Sequence, residues 1–384
     1  MHFKHLLLLC LAACSCIAGQ ESKVNTLRVP DGGLQPQIAV DGKGAVHMLY
    51  YKGDASHGDI FYVRSDDGGQ TFAKPIQVNS QAGSAIAMGN IRGATLALGK
   101  SGRVHAAWNG SGDAAPKGPQ GQNPMLYTRM DDSGRAFEPQ RNLIHSAYGL
   151  DGGGRVAADS SGNVYVFWHA TGASKGEENR RVFVAHSSDD GKTFSTEIPA
   201  FQANTGACGC CGMAALADGK GNVYALYRAA TEKVNRDIVL LVSKDKGATF
   251  KGQKLQEWKL NACPMSSASF VESPIGAGVL ATWETKGQVY FSFIDPATLR
   301  VSPPISAPGM DPERKHSVLA TNASGETILI WTEGIGWQKG GSVHWQVYDK
   351  NGRPTAEKGR GDGVPVWSLV AAFARPDGGF TVVY

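Results

Sequence analysis

Residues 187–194 read SSDDGKTF, and the same pattern of serine, aspartate, glycine and phenylalanine recurs three times along the chain. The other copies are SDDGGQTF at 65–72, MDDSGRAF at 130–137 and SKDKGATF at 243–250. Their phenylalanines are 65, 57 and 56 residues apart, about the length that four short strands and their turns require. The octets therefore predict a chain built from repeated four-stranded units.

The chemistry of the octet indicates a turn that holds itself together. Asp67, Asp189 and Asp245 can accept hydrogen bonds from backbone N–H groups in the turn, and the glycine two residues later can adopt a positive φ. The phenylalanine that ends each octet would pack between sheets. We therefore assign these aspartates a structural role and no catalytic one.

A second repeat lies between the octets and reads as a hairpin: an apolar strand, a turn of Asp or Asn with Gly, then a strand ending in an aromatic residue. It occurs seven times, in the segments that begin at residues 36, 94, 154, 213, 267, 317 and 368. The last hairpin ends the chain, and the segment KVNTLRV at 23–29 stands where an outer strand precedes the first. Seven units are favoured over six, with the N-terminal strand closing the ring and removing exposed sheet edges.

The octets resemble the Asp-box of sialidase-like β-propellers. That resemblance implies an all-β propeller fold with Asp-box turns, in agreement with the 49 glycines, the 18 prolines and the absence of long helical periodicity in the sequence. A formal charge of +4 without a cluster of Lys and Arg argues against nucleic acid as a partner.

The first residues predict export. Lys4, an apolar run and small residues make residues 1–19 a signal peptide, and Leu11 to Cys14 resembles a lipobox in which Cys14 carries the lipid. Residues 20–384 would then form one propeller domain, a monomer that faces the periplasm or sits on the outer membrane as a lipoprotein. Ordinary signal cleavage and a soluble periplasmic protein are the alternative, and in either case only the lipid would contact the membrane.

The candidate site is the mouth of the central channel, where the innermost strand of each unit begins. The repeat places the following residues there: Gln35, Gln37, Arg92, Arg155, Cys210, Cys211, Cys263, Arg314, Lys315, His316 and Trp367. Residues that follow the strand-ending aromatics, among them His169, Arg228 and Glu284, are also free to touch a ligand.

The cysteines of this mouth are open to three interpretations. Cys208, Cys210, Cys211 and Cys263 could form disulfides that join neighbouring blades. Their thiolates, with His316, could instead bind copper(I) or zinc. A redox-active thiol pair is the third possibility, although the helix that usually carries such a pair is missing.

The segment 207–269 also resembles a set of exported bacterial sialidase-like propellers. The shared features are CxCC, a Tyr-Arg pair at 227–228, Arg-Asp-Ile at 236–238 and Trp-x-x-x-x-Cys-Pro from Trp258. This resemblance implies no settled activity. We expect Arg228 and Asp237 to pair between strands.

Sialidase chemistry needs three arginines for the substrate carboxylate, a tyrosine nucleophile activated by a glutamate, and an acid/base aspartate. Arg92, Arg155 and Arg314 are candidates for the arginine cluster. Candidates for the reacting groups are Tyr148 and Asp151, with Glu284 and Glu333 as further carboxylates. Arg28, in LRVPDGG, mimics the sialidase RIP motif but would end an outer strand, so the motif itself is missing.

Three functional hypotheses remain open. The favoured one is a binding or accessory protein whose channel mouth holds a ligand or metal through the cysteines, Arg92, Arg155, Arg228 and His316. A sialidase-type glycoside hydrolase is the second. A propeller stapled by disulfides that binds another exported protein is the third, and carbohydrate is the other expected class of partner.

Overall fold

The computed structural model describes residues 22–172, 174–274, 278–310 and 313–384. The predicted signal peptide, with Cys10, Cys14 and Cys16, lies outside these ranges. Within them, no helix has the length and apolar character that crossing a bilayer requires. The helical elements of the described chain are single 3₁₀ turns at Pro30–Gly32, Lys100–Gly102, Pro119–Gly121 and Glu177–Asn179.

The strands form seven sheets, six of which have four antiparallel strands in sequence order. Blade 1 contains β2 (Leu34–Val40), β3 (Val46–Asp54), β4 (His57–Ser65) and β5 (Ile76–Gln77). Blade 2 contains β6 (Thr95–Leu98), β7 (Val104–Asn109), β8 (Met125–Arg129) and β9 (Arg141–Asn142). Blade 3 contains β10 (Arg155–Ala158), β11 (Val164–Ala170), β12 (Arg181–Ser187) and β13 (Ile198–Pro199).

The next three blades repeat this arrangement. Blade 4 contains β14 (Ala214–Ala217), β15 (Val223–Arg228), β16 (Ile238–Ser243) and β17 (Lys251–Gln256). Blade 5 contains β18 (Ser269–Glu272), β19 (Val279–Thr285), β20 (Gln288–Ile294) and β21 (Ile305–Ser306). Blade 6 contains β22 (Arg314–Thr321), β23 (Thr327–Glu333), β24 (Gly341–Tyr348) and β25 (Pro354–Val364).

Blade 7 joins the two ends of the described chain. It has three strands, β26 (Ala371–Ala374), β27 (Phe380–Val383) and the N-terminal β1 (Val24–Leu27), and β1 pairs with β27 in parallel. The outermost strand of a complete blade runs parallel to the second strand, with one antiparallel strand between them. Because blade 7 lacks that third strand, β1 keeps the outermost direction and bonds directly to β27. Seven blades and closure by the N-terminal strand, both predicted, are confirmed.

The Asp-box turns have the predicted structure. The carboxylate of Asp189 accepts hydrogen bonds from the Ser187 hydroxyl at 2.7 Å and from both the backbone N–H and hydroxyl of Thr193, at 2.9 and 2.6 Å. Gly191 has a φ of 77°, so the turn requires glycine there. These bonds hold the pKa of Asp189 at about 2, although burial opposes that shift. In the imperfect second copy, Asp131 takes the aspartate's place and binds Ser133.

The octet phenylalanines pack against the preceding blade, as predicted. Phe194 meets the ring of Tyr127 edge-on at 4.8 Å between centroids, and Phe250 meets Phe167 in the same way at 5.8 Å. These contacts close separate hydrophobic clusters between successive blades. The propeller core is thus a ring of inter-blade layers rather than one central core.

The innermost strands β2, β6, β10, β14, β18, β22 and β26 surround a central lumen of about 460 Å³. Each runs from the mouth towards a turn at the opposite end, where a side chain such as Asp218 accepts the backbone N–H groups of residues 220 and 222. The second strand of each blade returns to the mouth. Residues before a first strand and after a second strand therefore meet at the mouth.

Candidate functional site

Three thiols lie together at the mouth, in the turn that leads into β14. The sulfur atoms of Cys208, Cys210 and Cys211 all lie within 4.8 Å of one another. Cys208 and Cys211 are 0% and 2% exposed, and Cys210 is half-buried. Three soft donors at this spacing can surround one metal ion.

Local backbone bonds shape this turn. The N–H of Cys208 donates to the carbonyl of Arg228 at 2.9 Å, and that of Cys211 donates back to Cys208 at 3.3 Å. The residue between the first two cysteines is Gly209, and a Cβ there would overlap the Asp151 carboxylate and the Arg180 guanidinium. A larger residue here would have to displace these two charged groups, so glycine lets the thiol turn lie against them.

The three thiols differ in how readily they ionise. Burial opposes ionisation of Cys211, but hydrogen bonds from the other two thiols and the positive charge of Arg228 outweigh it and hold its pKa well below the usual range. Hydrogen bonds to its neighbours and burial raise the pKa of Cys210. The cluster therefore favours a thiolate at Cys211 and thiols at the other positions until a cation replaces their protons.

A chain of ion pairs runs along the mouth beside the thiols. Glu177 accepts from Arg236 at 2.7 Å and from Arg180 at 3.3 Å. Asp151 accepts from Arg180 at 2.6 Å and from Arg92 at 2.9 Å. Arg92 and Asp151, both predicted site residues, therefore come together. Sequence reasoning missed Glu177 and Arg180, which belong to a loop after β11 with no repeat pattern to mark it.

Arg228 pairs with Glu284 of blade 5 and not with Asp237, which corrects the expected pairing. The Arg228 and Glu284 side chains are 3% and 1% exposed and 3.1 Å apart. Arg228 also donates to the carbonyl of Arg236 at 2.8 Å and lies over the ring of Trp258. These bonds fix Arg228 beside Cys211 and leave it unavailable to a ligand at the surface.

Two buried histidines flank the thiol turn. His169 is fully buried, and neither ring nitrogen has a hydrogen-bond partner among the residues that the structure describes. Burial and then Arg180 lower its pKa to about 4. His316, the predicted ligand, instead bonds the Ser267 hydroxyl at 3.1 Å, and burial lowers its pKa to about 3. Both imidazoles are therefore neutral at pH 7 and add no charge to the mouth.

Cys263 stands apart from the other cysteines. It is exposed and lies outside the group of three sulfurs. All four cysteines of the described residues are free, so the disulfides that the sequence suggested are not formed.

The three candidate arginines of a sialidase-type cluster do not converge. Arg92 is held in the ion-pair chain. Arg314 binds Glu333 at 3.2 Å and Gln288 at 3.0 Å, and lies over the ring of Trp331. Arg155 alone of the three lines the lumen.

The remaining catalytic candidates also stand separately. Tyr148 is 41% exposed, and no hydrogen bond in the described chain joins its hydroxyl to a glutamate. Glu333 is engaged by Arg314, and Glu284 by Arg228. Arg28 follows β1, bonds the carbonyls of residues 362 and 363 and lies over Tyr384, so it belongs to the ring closure.

An aromatic pair also borders the mouth. Trp337 is 55% exposed, and its ring meets that of Trp367 edge-on at 4.8 Å. Asn90, Met265 and His316 line the same small hollow. An exposed indole held by a second one is a suitable platform for an apolar or sugar face.

Comparison with known proteins supports the fold class. The structure is similar to a mutant of NanB sialidase from Streptococcus pneumoniae, with a TM-score of 0.51, 11% identity and coverage of 78% of this chain and 65% of that one. It is also similar to the Hadza microbial sialidase Hz136, with a TM-score of 0.53, 14% identity and coverage of 83% of this chain and 66% of that one. A third similar structure is the α-L-arabinanase of Penicillium chrysogenum complexed with arabinobiose, with a TM-score of 0.54, 14% identity and coverage of 83% of this chain and 94% of that one.

These similarities show that the seven-bladed chain shares a β-propeller fold with these sialidases and the arabinanase. The chain spans 65% and 66% of the length of the two sialidases. At 11–14% identity the likeness concerns the fold alone. No protein-family model matches the chain, and no curated protein matches it either.

Proposed function

We propose that this protein binds copper(I) at the channel mouth through Cys208, Cys210 and Cys211. The observation that carries the proposal is the group of three sulfurs, two of them buried and one half-buried, all within 4.8 Å of one another. Thiolates are soft ligands, and among the common biological metals they suit copper(I), zinc and iron–sulfur clusters.

Copper(I) suits this donor set better than zinc. A structural zinc site takes four ligands, and Cys263, which could have been the fourth, is exposed and outside the group. Three thiolates and one monovalent cation leave a net negative charge. The guanidinium of Arg228 lies close enough to the turn to help hold the pKa of Cys211 below its usual range, although Glu284 also pairs with it.

The test is a copper(I) titration of residues 20–384, reduced and kept free of oxygen, against a chromophoric copper(I) chelator. We expect about one tightly held ion per chain. Loss of a residue that only supports a metal ligand costs about 10- to 100-fold in affinity, so Cys211→Ser, which removes a ligand, should cost at least about 100-fold.

Cys263→Ser is the matched control, because it removes a thiol that lies outside the cluster. It should leave copper affinity unchanged. Failure of the wild-type protein to hold copper(I), or equal losses in the two serine variants, contradicts the proposal. Retention of zinc but not copper(I) would contradict the choice of metal.

We also propose that the site faces the periplasm, on a chain anchored by lipid at Cys14. The signal pattern of residues 1–19 supports this location. Metabolic labelling with a fatty acid in a bacterial host should mark the full-length chain and not its Cys14→Ser variant. Labelling that survives the substitution contradicts the anchor.

Carbohydrate binding at the mouth is the second candidate, and Trp337 is the observation that favours it. An exposed indole beside Trp367 and close to Arg92 offers a stacking surface next to charged hydrogen-bond donors. Titration with arabinobiose and sialyllactose should show binding that Trp337→Ala removes. A sialidase-type hydrolase additionally requires turnover of a fluorogenic sialoside, and turnover that Arg155→Ala abolishes would favour it over simple binding.

A further inference from the structure

The small hollow beside Trp337 brings two metal-binding side chains together. Met265 comes from the turn before β18 in blade 5, and His316 comes from β22 in blade 6. Trp337, from the loop after β23, and Trp367, from the turn before β26, complete the walls. A thioether, an imidazole and two indole rings from three successive blades therefore surround one space.

The backbone is strained at residues that line this hollow. Met265, His316 and Trp367 have φ angles of 49°, 52° and 63°. This left-handed region is unfavourable for residues with a β-carbon, whereas glycine adopts it freely, as Gly152 does at 71° in the turn before β10. Strain of this kind is concentrated at functional sites, so large side chains at three such positions indicate a site that needs them.

The imidazole of His316 is held in a way that suits a metal ligand. Its Nδ1 bonds the Ser267 hydroxyl at 3.1 Å, and no other hydrogen bond joins the ring to the described chain. When Nδ1–H donates to Ser267, the lone pair of Nε2 is free to bind an ion. A hydrogen bond that fixes one ring nitrogen commonly supports a histidine that binds metal through the other.

The lining of the hollow favours a soft, singly charged ion. Asn90, Ile335 and two glycines complete it, and none of the lining residues that the structure describes is a carboxylate. Calcium and magnesium bind mainly to oxygen ligands, carboxylates above all. Zinc in proteins is bound by cysteine, histidine and carboxylates rather than by thioethers. A thioether with an imidazole suits copper(I), and one positive charge needs no carboxylate to balance it.

The indole rings add to this preference. Trp337 meets Trp367 edge-on, with 4.8 Å between the ring centroids. A cation above the face of an indole is attracted by the electrons of the ring, most strongly where water is excluded. The space between the walls holds about one water-sized sphere, so it fits a single ion rather than a larger ligand.

We propose that the hollow is a second copper(I) site, in which Met265 and His316 bind the ion and the Trp337 ring lies against it. The hollow is close to the thiol turn, because the carbonyl of Ser266 accepts from the N–H of Gly212 at 2.9 Å. The thioether and the imidazole carry no negative charge, so they bind copper(I) more weakly than the thiolates do. This ion is therefore the second to bind, and its site uses none of the cysteines.

The test follows isotope-labelled methionine methyl groups by NMR in residues 20–384, reduced and kept free of oxygen. Copper(I) beyond the first equivalent should shift the methyl resonance of Met265, because its sulfur becomes a ligand. The absence of that resonance in Met265→Leu identifies it. Met310 is the internal control, since it is 98% exposed and its thioether should not respond. Zinc should shift neither resonance.

Variants measure the affinity of the second ion against a weak chromophoric copper(I) chelator. Met265→Leu keeps the size of the side chain and removes the sulfur, so it should weaken binding at least about 10-fold. His316→Gln removes the ring nitrogen and should have a similar effect. Met310→Leu is the matched control and should bind like wild type. Cys211→Ser should lose only the tighter ion and keep the response of Met265.

The proposal is overturned if copper(I) does not shift the Met265 resonance, or if it shifts that of Met310 equally. It is also overturned if Met265→Leu binds the second ion as tightly as wild type, or if zinc acts like copper(I). Because Met265→Leu conserves volume, it decides the matter even if His316→Gln does not fold. The response of Met265 in Cys211→Ser does not depend on the thiol cluster, so either copper proposal can fail alone.

Discussion

The sulfur atoms of Cys208 and Cys210 lie 3.3 Å apart. This separation is longer than the bond of about 2.05 Å in a disulfide, but short enough that side-chain rotation could close it. Closure would remove two of the three proposed copper ligands at once. The thiol cluster is therefore expected to respond to oxidants as well as to metal.

We predict that diamide, a mild thiol oxidant, joins Cys208 to Cys210 and abolishes copper(I) binding. The two thiols lose two protons and two electrons, and the azo bond of diamide takes up both. Peptide mapping by mass spectrometry should locate the disulfide, and dithiothreitol should restore binding. Copper(I) added first should protect the thiols, because its ligands are then occupied.

Cys210→Ser provides the control for this prediction, since it leaves Cys208 without its nearest partner. It should yield no disulfide within the cluster on treatment with diamide. A cross-link that instead involves the exposed Cys263 would contradict the prediction and place that residue closer to the cluster than its exposure indicates.

Glu284→Gln should destabilise the protein by about 3–5 kcal/mol. Arg228 and Glu284 are 3% and 1% exposed, so removal of the carboxylate leaves a guanidinium buried with no counter-charge. Urea denaturation at pH 7 measures the effect. Asp362→Asn, which breaks the exposed pair of Arg360 and Asp362, should change the free energy of unfolding far less. Equal effects of the two substitutions would contradict the assignment.

The features predicted correctly from the sequence are those encoded by short segments. An Asp-box is complete within eight residues, and its aspartate bonds a threonine four positions away, as Asp189 bonds Thr193. The glycine and aspartate of each hairpin turn likewise shape only the neighbouring backbone. Blade number and ring closure follow from counting these units, so both could be obtained without knowledge of side-chain packing.

The features that sequence reasoning missed join residues from different blades. Asp237, nine residues after Arg228, looked like its partner, whereas Glu284 is its partner from 56 positions away. Gln37 and Arg155, whose side chains form a hydrogen bond, are 118 positions apart. The packing of neighbouring blades decides such contacts, and nothing within either segment indicates them. The thiol cluster was predicted in part, since CxCC is local but the position of Cys263 is not.

Asp67→Asn should lower Tm at pH 7 and have progressively less effect as the pH falls towards 2. Hydrogen bonds from the side chain and backbone of Thr71 and from Ser65 hold the pKa of Asp67 at about 2, below the value near 4 of an unfolded chain. Its stabilising effect is therefore fully present above pH 4 and lost between pH 4 and pH 2. Thermal unfolding across this range measures the difference.

Asp66→Asn is the matched control, because Asp66 lies in the same turn but is exposed and contacts only Arg64 among the pairs in the described chain. It should change Tm little at any pH. A constant difference between Asp67→Asn and wild type from pH 7 to pH 2 would contradict the role assigned to the ionised carboxylate.

Because β1 closes the ring, we predict that a charge introduced at Val24 lowers the free energy of unfolding far more than the same charge at its neighbour Asn25. Val24 is 6% exposed and pairs with Phe380 of β27, whereas Asn25 faces solvent. Val24→Asp puts an unpaired carboxylate into the layer between blades 6 and 7 and should cost more than about 2 kcal/mol. Asn25→Asp introduces the same charge outside that layer and should change stability by less than about 0.5 kcal/mol. Urea denaturation gives both values, and size-exclusion chromatography shows whether the edge of β27, released in the Val24 variant, leads to association. Equal stability of the two variants would mean that β1 adds little to closure and that β26 and β27 hold blade 7 without it.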